Sequence, residues 1–454
     1  MTKAEITLND RFDLSKSPVL LNGTQALVRL MLMQKARDVA TGLNTAGYVT
    51  GYRGSPLGAV DMPMHRAEKF LKSADVTFKE GLNEDLAVTA LWGSQQAELR
   101  GEGRYDGVFG LWYGKGPGVD RSGDAMKHAN MAGTAPHGGV LMAMGDDHTG
   151  ESSTVLHQSE WAMIDAYMPV VSPAGVQEIL DYGLYGFALS RFSGLWVGLK
   201  TMKDTVEVTS VVDGRPDRLS FVTPQFDMPD GGLNIRLVDT PHAQEARMID
   251  HKRFAAEAFS HANKMDKRVW GKPGAKIGFV AAGKNWLDLV HALSLLGIDA
   301  DEAERLGITT YKVGQTWPLD MRGFHDWAEG LDLIVVVEEK RKLIEVQIKE
   351  ALFDDNRYRV YGWYKGGAGA LHREELFPTR GALDPIMIAE KLGGILIEEG
   401  RETDGIRAGM QVLADARRND NAEEIAARLP YFCSGCPHNT STKVPEGSRA
   451  SAGI

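Results

Sequence analysis

Residues 108–145, VFGLWYGKGPGVDRSGDAMKHANMAGTAPHGGVLMAMG, decide the fold. An apolar run, Val108–Tyr113, leads into a glycine-rich turn, Gly114-Lys115-Gly116-Pro117-Gly118. A helical stretch, Ser122–Ala135, follows, and Gly139–Gly145 is a second run with almost no polar residue. Strand, helix and strand in that order make a βαβ unit, and a strand apolar on both faces lies between neighbours in a parallel sheet. The second strand opens into Asp146-Asp147-His148-Thr149-Gly150-Glu151-Ser152-Ser153. Polar residues at the carboxyl end of a parallel strand stand where open α/β sheets bind their ligands.

Working outward, residues 1–20 read as an extended lead-in and 22–42 as a helix, with Asn22 or Thr24 as its cap and Ala26, Leu27, Leu30 and Met31 on its apolar stripe. A strand at Tyr48–Tyr52 enters the turn Arg53-Gly54-Ser55-Pro56-Leu57-Gly58; a helix follows, and then a strand around Val76–Lys79. Residues 83–100 predict a helix capped by Asn83, with Glu84 and Asp85 in its first turn and Gly101 as its stop. Its inward positions, Ala87, Ala90, Leu91, Ser94 and Ala97, are mostly small, which implies a close neighbour. Downstream come a helix at 176–191, a strand at Leu195–Leu199, a Pro/Asp/Gly-rich connection at 215–240, a charged helix at 242–266 and a basic linker at 267–275. A second α/β unit follows: strand Ile277–Ala281, helix Trp286–Leu296 stopped by Gly297, strand Ile308–Val313, strand Leu331–Glu338 and helix Leu343–Leu352. Residues 380–417 carry two more helical patterns and a short strand.

The chain has 454 residues, room for about three domains. Its 51 Lys and Arg against 61 Asp and Glu leave a net charge of −10, a poor match to nucleic acid. The polar N-terminus lacks a signal-peptide core, and there is no uninterrupted apolar run of about 18 residues, so the expectation is a cytoplasmic enzyme without a membrane anchor. Two cysteines, Cys433 and Cys436, exclude a disulfide scaffold.

Each motif admits a plain reading beside a chemical one. No GxxxxGK[ST] stretch is present, so a P-loop is excluded. Gly114–Gly118 is either a tight turn or a cradle for an anion. Glu84 either complements the helix dipole or offers a carboxylate to a heterocyclic nitrogen. His148 either caps a loop or moves protons. Cys433-Ser434-Gly435-Cys436 has metal-ligand spacing, but two thiolates cannot complete a four-thiolate site. His65, His128, His137 and His157 carry no pattern.

Together these stretches resemble a 2-oxoacid:ferredoxin oxidoreductase, and most nearly the N-terminal part of the indolepyruvate ferredoxin oxidoreductase family in its long single-chain form. The resemblance is carried by TGYRGSPLGAVD (50–61), KEGLNEDLAVTALWGSQQ (79–96), YGKGPGVDRSGDAMKHAN (113–130), MGDDHTGESSTVLHQSE (144–160), VVVEEKRKLIE (335–345) and FCSGCPHNTSTKVPEGSRA (432–450). It implies an α/β fold: a Rossmann-like pyrimidine-binding thiamine diphosphate domain at 1–235, a helical linker at 236–269, a transketolase C-terminal-like domain at 270–395, and at 396–454 a connection and the start of a diphosphate-binding domain. It implies oxidative decarboxylation of an aryl 2-oxoacid such as indolepyruvate, with coenzyme A taking the acyl group and ferredoxin the electrons. It assigns Glu84 as the activating carboxylate and Ser55, Pro56, Gly116, Pro117, Gly118 and Asp147 as cofactor neighbours. His148 shares their cleft as a catalytic candidate, and Cys433 and Cys436 match the first two ligands of a 4Fe-4S cluster. The GDG motif that holds Mg²⁺ and the diphosphate is missing, as are the remaining cluster cysteines, so the resemblance implies a portion of the enzyme with little activity alone, self-associating as a homodimer or joined to the remaining domains. The alternatives are a non-catalytic subunit that needs a partner chain, and an enzyme for another 2-oxoacid.

Overall fold

In this computed structural model, residues 6–152, 155–355, 357–366, 374–420 and 432–449 are described. Ser153, Thr154 and the segments 1–5, 421–431 and 450–454, all included in the readings above, lie outside them.

The first unit is built on strands β1 (Val19–Asn22), β2 (Ala46–Gly51), β3 (Val76–Phe78), β4 (Val108–Lys115), β5 (Val140–Asp146), β6 (Val170–Val171), β7 (Val197–Met202) and β8 (Thr209–Val212). Six of them form a parallel sheet in the order β3-β2-β4-β5-β7-β6. All seven residues of β5 are buried, as its apolar run requires. One face packs against the helix Gly23–Ala40, which Asn22 and Gln25 start with a reciprocal capping box, and against Val176–Ser193. The other face buries Ala87, Val88, Leu91, Met126 and Ala129.

The second unit adds β9 (Lys267–Arg268), β10 (Ile277–Ala282), β11 (Ile308–Val313), β12 (Gln315–Trp317), β13 (Leu333–Val337) and β14 (Arg359–Tyr361). Its sheet runs β14-β13-β10-β11-β9, parallel except for β9. β12 leaves this unit and pairs antiparallel with β6, so the first sheet has a seventh strand from downstream sequence. Buried Asp266 secures the crossing by accepting the backbone N–H groups of Gly314, Gln315 and Asp320 at 2.8, 3.0 and 3.1 Å.

Several expectations are corrected. The helix expected over 83–100 spans Glu84–Ser94. Gln95 ends it: its buried side chain donates to the Val108 carbonyl at 2.7 Å and accepts from Ala135 and Gly139 at 3.2 Å, holding the chain against the next strands. Ala90 and Ala97, expected inward, are exposed. The glycine turn is not a loop: Gly114 and Lys115 finish β4, and Gly116 begins a helix, Gly116–Arg121. The last two residues of the lead-in begin β1, which pairs with β8. The charged helix at 242–266 is Pro241–Arg247 and Arg253–Asn263 joined by a wider turn, Met248–Lys252, and its Phe259 belongs to the first core. The basic linker supplies edge strand β9. Residues 380–417 contain the helix Pro385–Glu398, most of the helix Asp404–Asp420, and no strand among the described residues. The second of these, expected as a connection, buries Ile406 and Leu413 in the second core.

Candidate functional site

The strand orders define two crevices. In the first sheet β3 lies on one side of β2 and β4 on the other, so the connections after β2 and β4 diverge. In the second, β11 and β13 flank β10, and the connections after β10 and β13 diverge likewise. Such switch points are where doubly wound sheets bind ligands.

The first crevice gathers residues that the sequence singled out. Ser55 is exposed on the turn after β2, and Pro56 is buried against the end of β5, where a Cβ on Gly145 would lie 2.9 Å from its ring. Gly116, Pro117 and Gly118 open the helix after β4. Glu84 opens the helix that follows β3, with Asn83 as N-cap accepting the Leu86 N–H at 3.0 Å. The indole of Trp112 donates to the Glu84 carbonyl at 3.1 Å, tying this helix start to β4. A Cβ on Gly118 would lie 2.6 Å from Glu84 Cγ and 2.9 Å from its Oε1, so glycine is what lets the two helix starts touch. The Glu84 side chain is 17% exposed, and its nearest cation, Arg121, is 4.0 Å away and also serves Asp85. Among the described residues nothing donates a hydrogen bond to the Glu84 carboxylate. It is a partly buried acceptor without a donor.

Asp147 is engaged locally. It accepts the backbone N–H groups of Gly150, Glu151 and Ser152 at 3.0, 3.1 and 2.8 Å, folding the turn after β5. That turn brings the Ser152 carbonyl to the Lys115 ammonium.

The second crevice is filled from within the chain. His148, 2% exposed, enters it from the end of β5, and its Nδ1 lies 2.5 Å from Glu339 Oε1, just beyond β13. Lys340 donates to the His148 carbonyl, and Gln158 exchanges two 3.1 Å hydrogen bonds with the Arg341 backbone. The second Glu339 oxygen accepts the Leu383 N–H at 2.9 Å and the Asn285 amide at 3.3 Å, with Lys284 3.7 Å away. On the far side of the imidazole, Asp146 lies 3.7 Å from Nε2, and this buried nitrogen has no hydrogen-bond partner.

Burial disfavours every charge here, and pairing decides the outcome. Burial would raise Glu339, yet His148, Lys284 and the Leu383 N–H hold it down at about 2. Asp146 is likewise held at about 2, because His148, Lys200 and Ser159 outweigh its burial. Burial and Lys200 push the imidazole down, but the two flanking carboxylates prevail and His148 sits above its ordinary value. Both carboxylates therefore favour the protonated form of the ring between them. A cavity of about 330 Å³ adjoins it, lined by Asp146, His148, Lys284, Asp288 and Leu383 among others.

Glu84 and His148, expected in one cleft, belong to different clusters, with no hydrogen bond or ion pair joining the two sets among the described residues. Cys433 is exposed and Cys436 partly exposed, with the Cys436 sulfur 3.2 Å from His438 Nδ1. Among the described residues no three His, Cys, Asp or Glu side chains are arranged to hold a metal ion. No described helix is long and apolar enough to cross a membrane. Reading the residues did not single out Glu339, Asn285 or Lys284. The signal available was their position directly after the most apolar strands of the second unit.

The wider comparisons agree with the motifs. Residues 267–420 match the family described as the indolepyruvate oxidoreductase domain. Over 435 residues, 93% of this chain, the sequence is 24% identical to the indolepyruvate oxidoreductase subunit IorA of Pyrococcus abyssi. Over 410 residues, 89% of the chain, it is 24% identical to the subunit of that name from Archaeoglobus fulgidus. The chain spans about 58% of the length of each. Among solved structures, the 2-oxoglutarate:ferredoxin oxidoreductase from Magnetococcus marinus superposes with a TM-score of 0.54 at 13% identity, covering 83% of this chain and 65% of that one. The similarity to indolepyruvate oxidoreductases read from the motifs therefore extends over most of the sequence, and the two-unit α/β fold is one found in a 2-oxoacid:ferredoxin oxidoreductase.

Proposed function

We propose that this chain, similar over most of its length to indolepyruvate oxidoreductase subunits, forms the pyrimidine-binding side of a thiamine diphosphate site in a 2-oxoacid oxidoreductase. The observation that carries the reading is the Glu84 carboxylate, partly buried, without a donor, and at the switch point of the first sheet. A ring nitrogen bearing a proton is the partner such a carboxylate lacks, so the residues present fit the cofactor's aminopyrimidine.

The chemistry that thiamine diphosphate supplies when bound is attack on the 2-oxo carbon and storage of the electron pair left by the departing carboxylate. The chain's own contribution is placement. Glu84 holds the ring-nitrogen proton between itself and the ring. Gly116, Pro117 and Gly118 let the cofactor come close to the backbone. Ser55, on the turn anchored by Pro56, offers a hydroxyl at the mouth. Asp147 shapes the loop that carries Ser152 to Lys115, and His148 supplies a proton-bearing group at the adjoining junction between units. Cys433 and Cys436 supply two ligands toward a 4Fe-4S cluster, and two thiolates do not complete one, so no step is derived through it. The Mg²⁺ and diphosphate ligands come from polypeptide outside these residues. An aryl 2-oxoacid, coenzyme A and ferredoxin are the proposed substrate and acceptors, and the cytoplasm the proposed location.

The test is aryl 2-oxoacid turnover by the chain joined to the polypeptide that supplies the diphosphate ligands. Glu84→Gln should lower kcat at least 100-fold while leaving the circular dichroism spectrum unchanged. Undiminished turnover would overturn the assignment.

A further inference from the structure

The second switch point is the place where a sheet of this order ordinarily receives a ligand, and here a histidine from the first unit occupies it. Three features mark this as a built contact. Glu339 and His148 are 191 residues apart in sequence yet 2.5 Å apart in space, both nearly excluded from solvent. Every oxygen of Glu339 is engaged, one by His148 and the other by Leu383 and Asn285. The other ring nitrogen is buried and without a hydrogen bond. The Glu339 bond to Nδ1 selects one edge of the ring and directs Nε2 toward Asp146.

We infer that Glu339 is a positioning residue that fixes the orientation and charge of His148, so that the two α/β units are locked together by a carboxylate–imidazolium–carboxylate triad. The inference does not depend on the cofactor reading of Glu84. The charged groups facing the triad come from both units. Asp147, Lys200 and Glu160 approach from the first, with Lys200 and Glu160 paired at 2.8 Å. Lys284, Asp288 and Lys340 approach from the second, with Lys284 and Asp288 paired at 2.6 Å. Lys200 and Lys284 also pair with carboxylates of their own, so the imidazolium shares with them the balancing of Asp146 and Glu339. Loss of its proton removes the cation that lies between the two carboxylates, and the lock loosens from the basic side.

The experiment is a histidine Cε1–H NMR titration of the full-length protein. The His148 signal is identified among the twelve histidines by its loss in His148→Gln. In the wild type its midpoint should lie above the ordinary value of about 6.5. Glu339→Gln should lower that midpoint by at least one unit and speed amide exchange at residues 338–341 at least tenfold. Glu339→Asp, which keeps the charge, should restore part of both. A wild-type midpoint at or below the ordinary value would overturn the inference, as would a midpoint unmoved by Glu339→Gln. If Glu339→Gln does not fold, the wild-type midpoint and Glu339→Asp decide alone.

Discussion

The two sheets share a design and differ in how their crevices are used. At the first switch point the carboxylate of Glu84 has no donor among the described residues and is partly open to solvent. At the second, Glu339 is fully engaged, and a histidine from the neighbouring unit closes the space. The second crevice has been converted into a joint, and the first kept as a receptor. Strand β12 makes the same point in backbone terms, since it extends the first sheet with residues from the second unit.

This comparison can be broken in several ways. The largest effect should come from Glu339→Ala. It strands a buried imidazolium and two N–H donors, and should cost about 3–5 kcal/mol in urea unfolding. Removing the Glu84 carboxylate by Glu84→Gln should cost no more than about 0.5 kcal/mol in the same assay, because none of the described residues donates to it. Equal losses at the two sites would erase the distinction.

Next in size is Gly118→Ala. Its Cβ would press on Glu84 Cγ at 2.6 Å, so a loss of about 1–3 kcal/mol is expected, together with weaker thiamine diphosphate binding by calorimetry. Undisturbed binding would show that the close approach of the two helix starts is incidental.

The joint should also give stability a two-sided pH dependence. Asp146 and Glu339 sit lower folded, at about 2, than a free carboxylate, so their contribution is present above about pH 4 and is lost as pH falls toward 2. His148 is raised, so its contribution is complete below its unfolded value of about 6.5 and is lost as pH rises through the folded value. Buried Asp266 and Glu338, both pushed up to about 7, add their own loss as pH rises, so His148→Gln should remove only the imidazole's share of the basic limb in thermal scans. The smallest effect is expected at the exposed C-terminal thiol: Cys433→Ser should change stability by less than about 0.5 kcal/mol.

Much of the scaffold was legible in the sequence because burial on both faces demands uninterrupted apolar runs. Val140–Gly145 and Leu333–Val337 announce their strands that way. The start of the Glu84 helix was legible from the Asn83 cap, whereas its end was not. Gln95 stops that helix through bonds to residues 13, 40 and 44 positions away, which no local pattern encodes. β12 escaped for a similar reason: it has three residues and a partner 144 positions upstream of Gln315 at Val171. His148 was visible as a polar residue at a strand end, but its partner was not, since Glu339 reads locally as a charge after a buried strand.

The most direct test of the account is a crystal structure of the chain in its complete assembly, grown with thiamine diphosphate. The account predicts the aminopyrimidine at the ends of β2, β3 and β4, with a ring nitrogen about 2.6–3.2 Å from the Glu84 carboxylate and the His148–Glu339 contact intact. A cofactor seated instead among Lys284, Asn285 and Glu339, with His148 displaced, would contradict it.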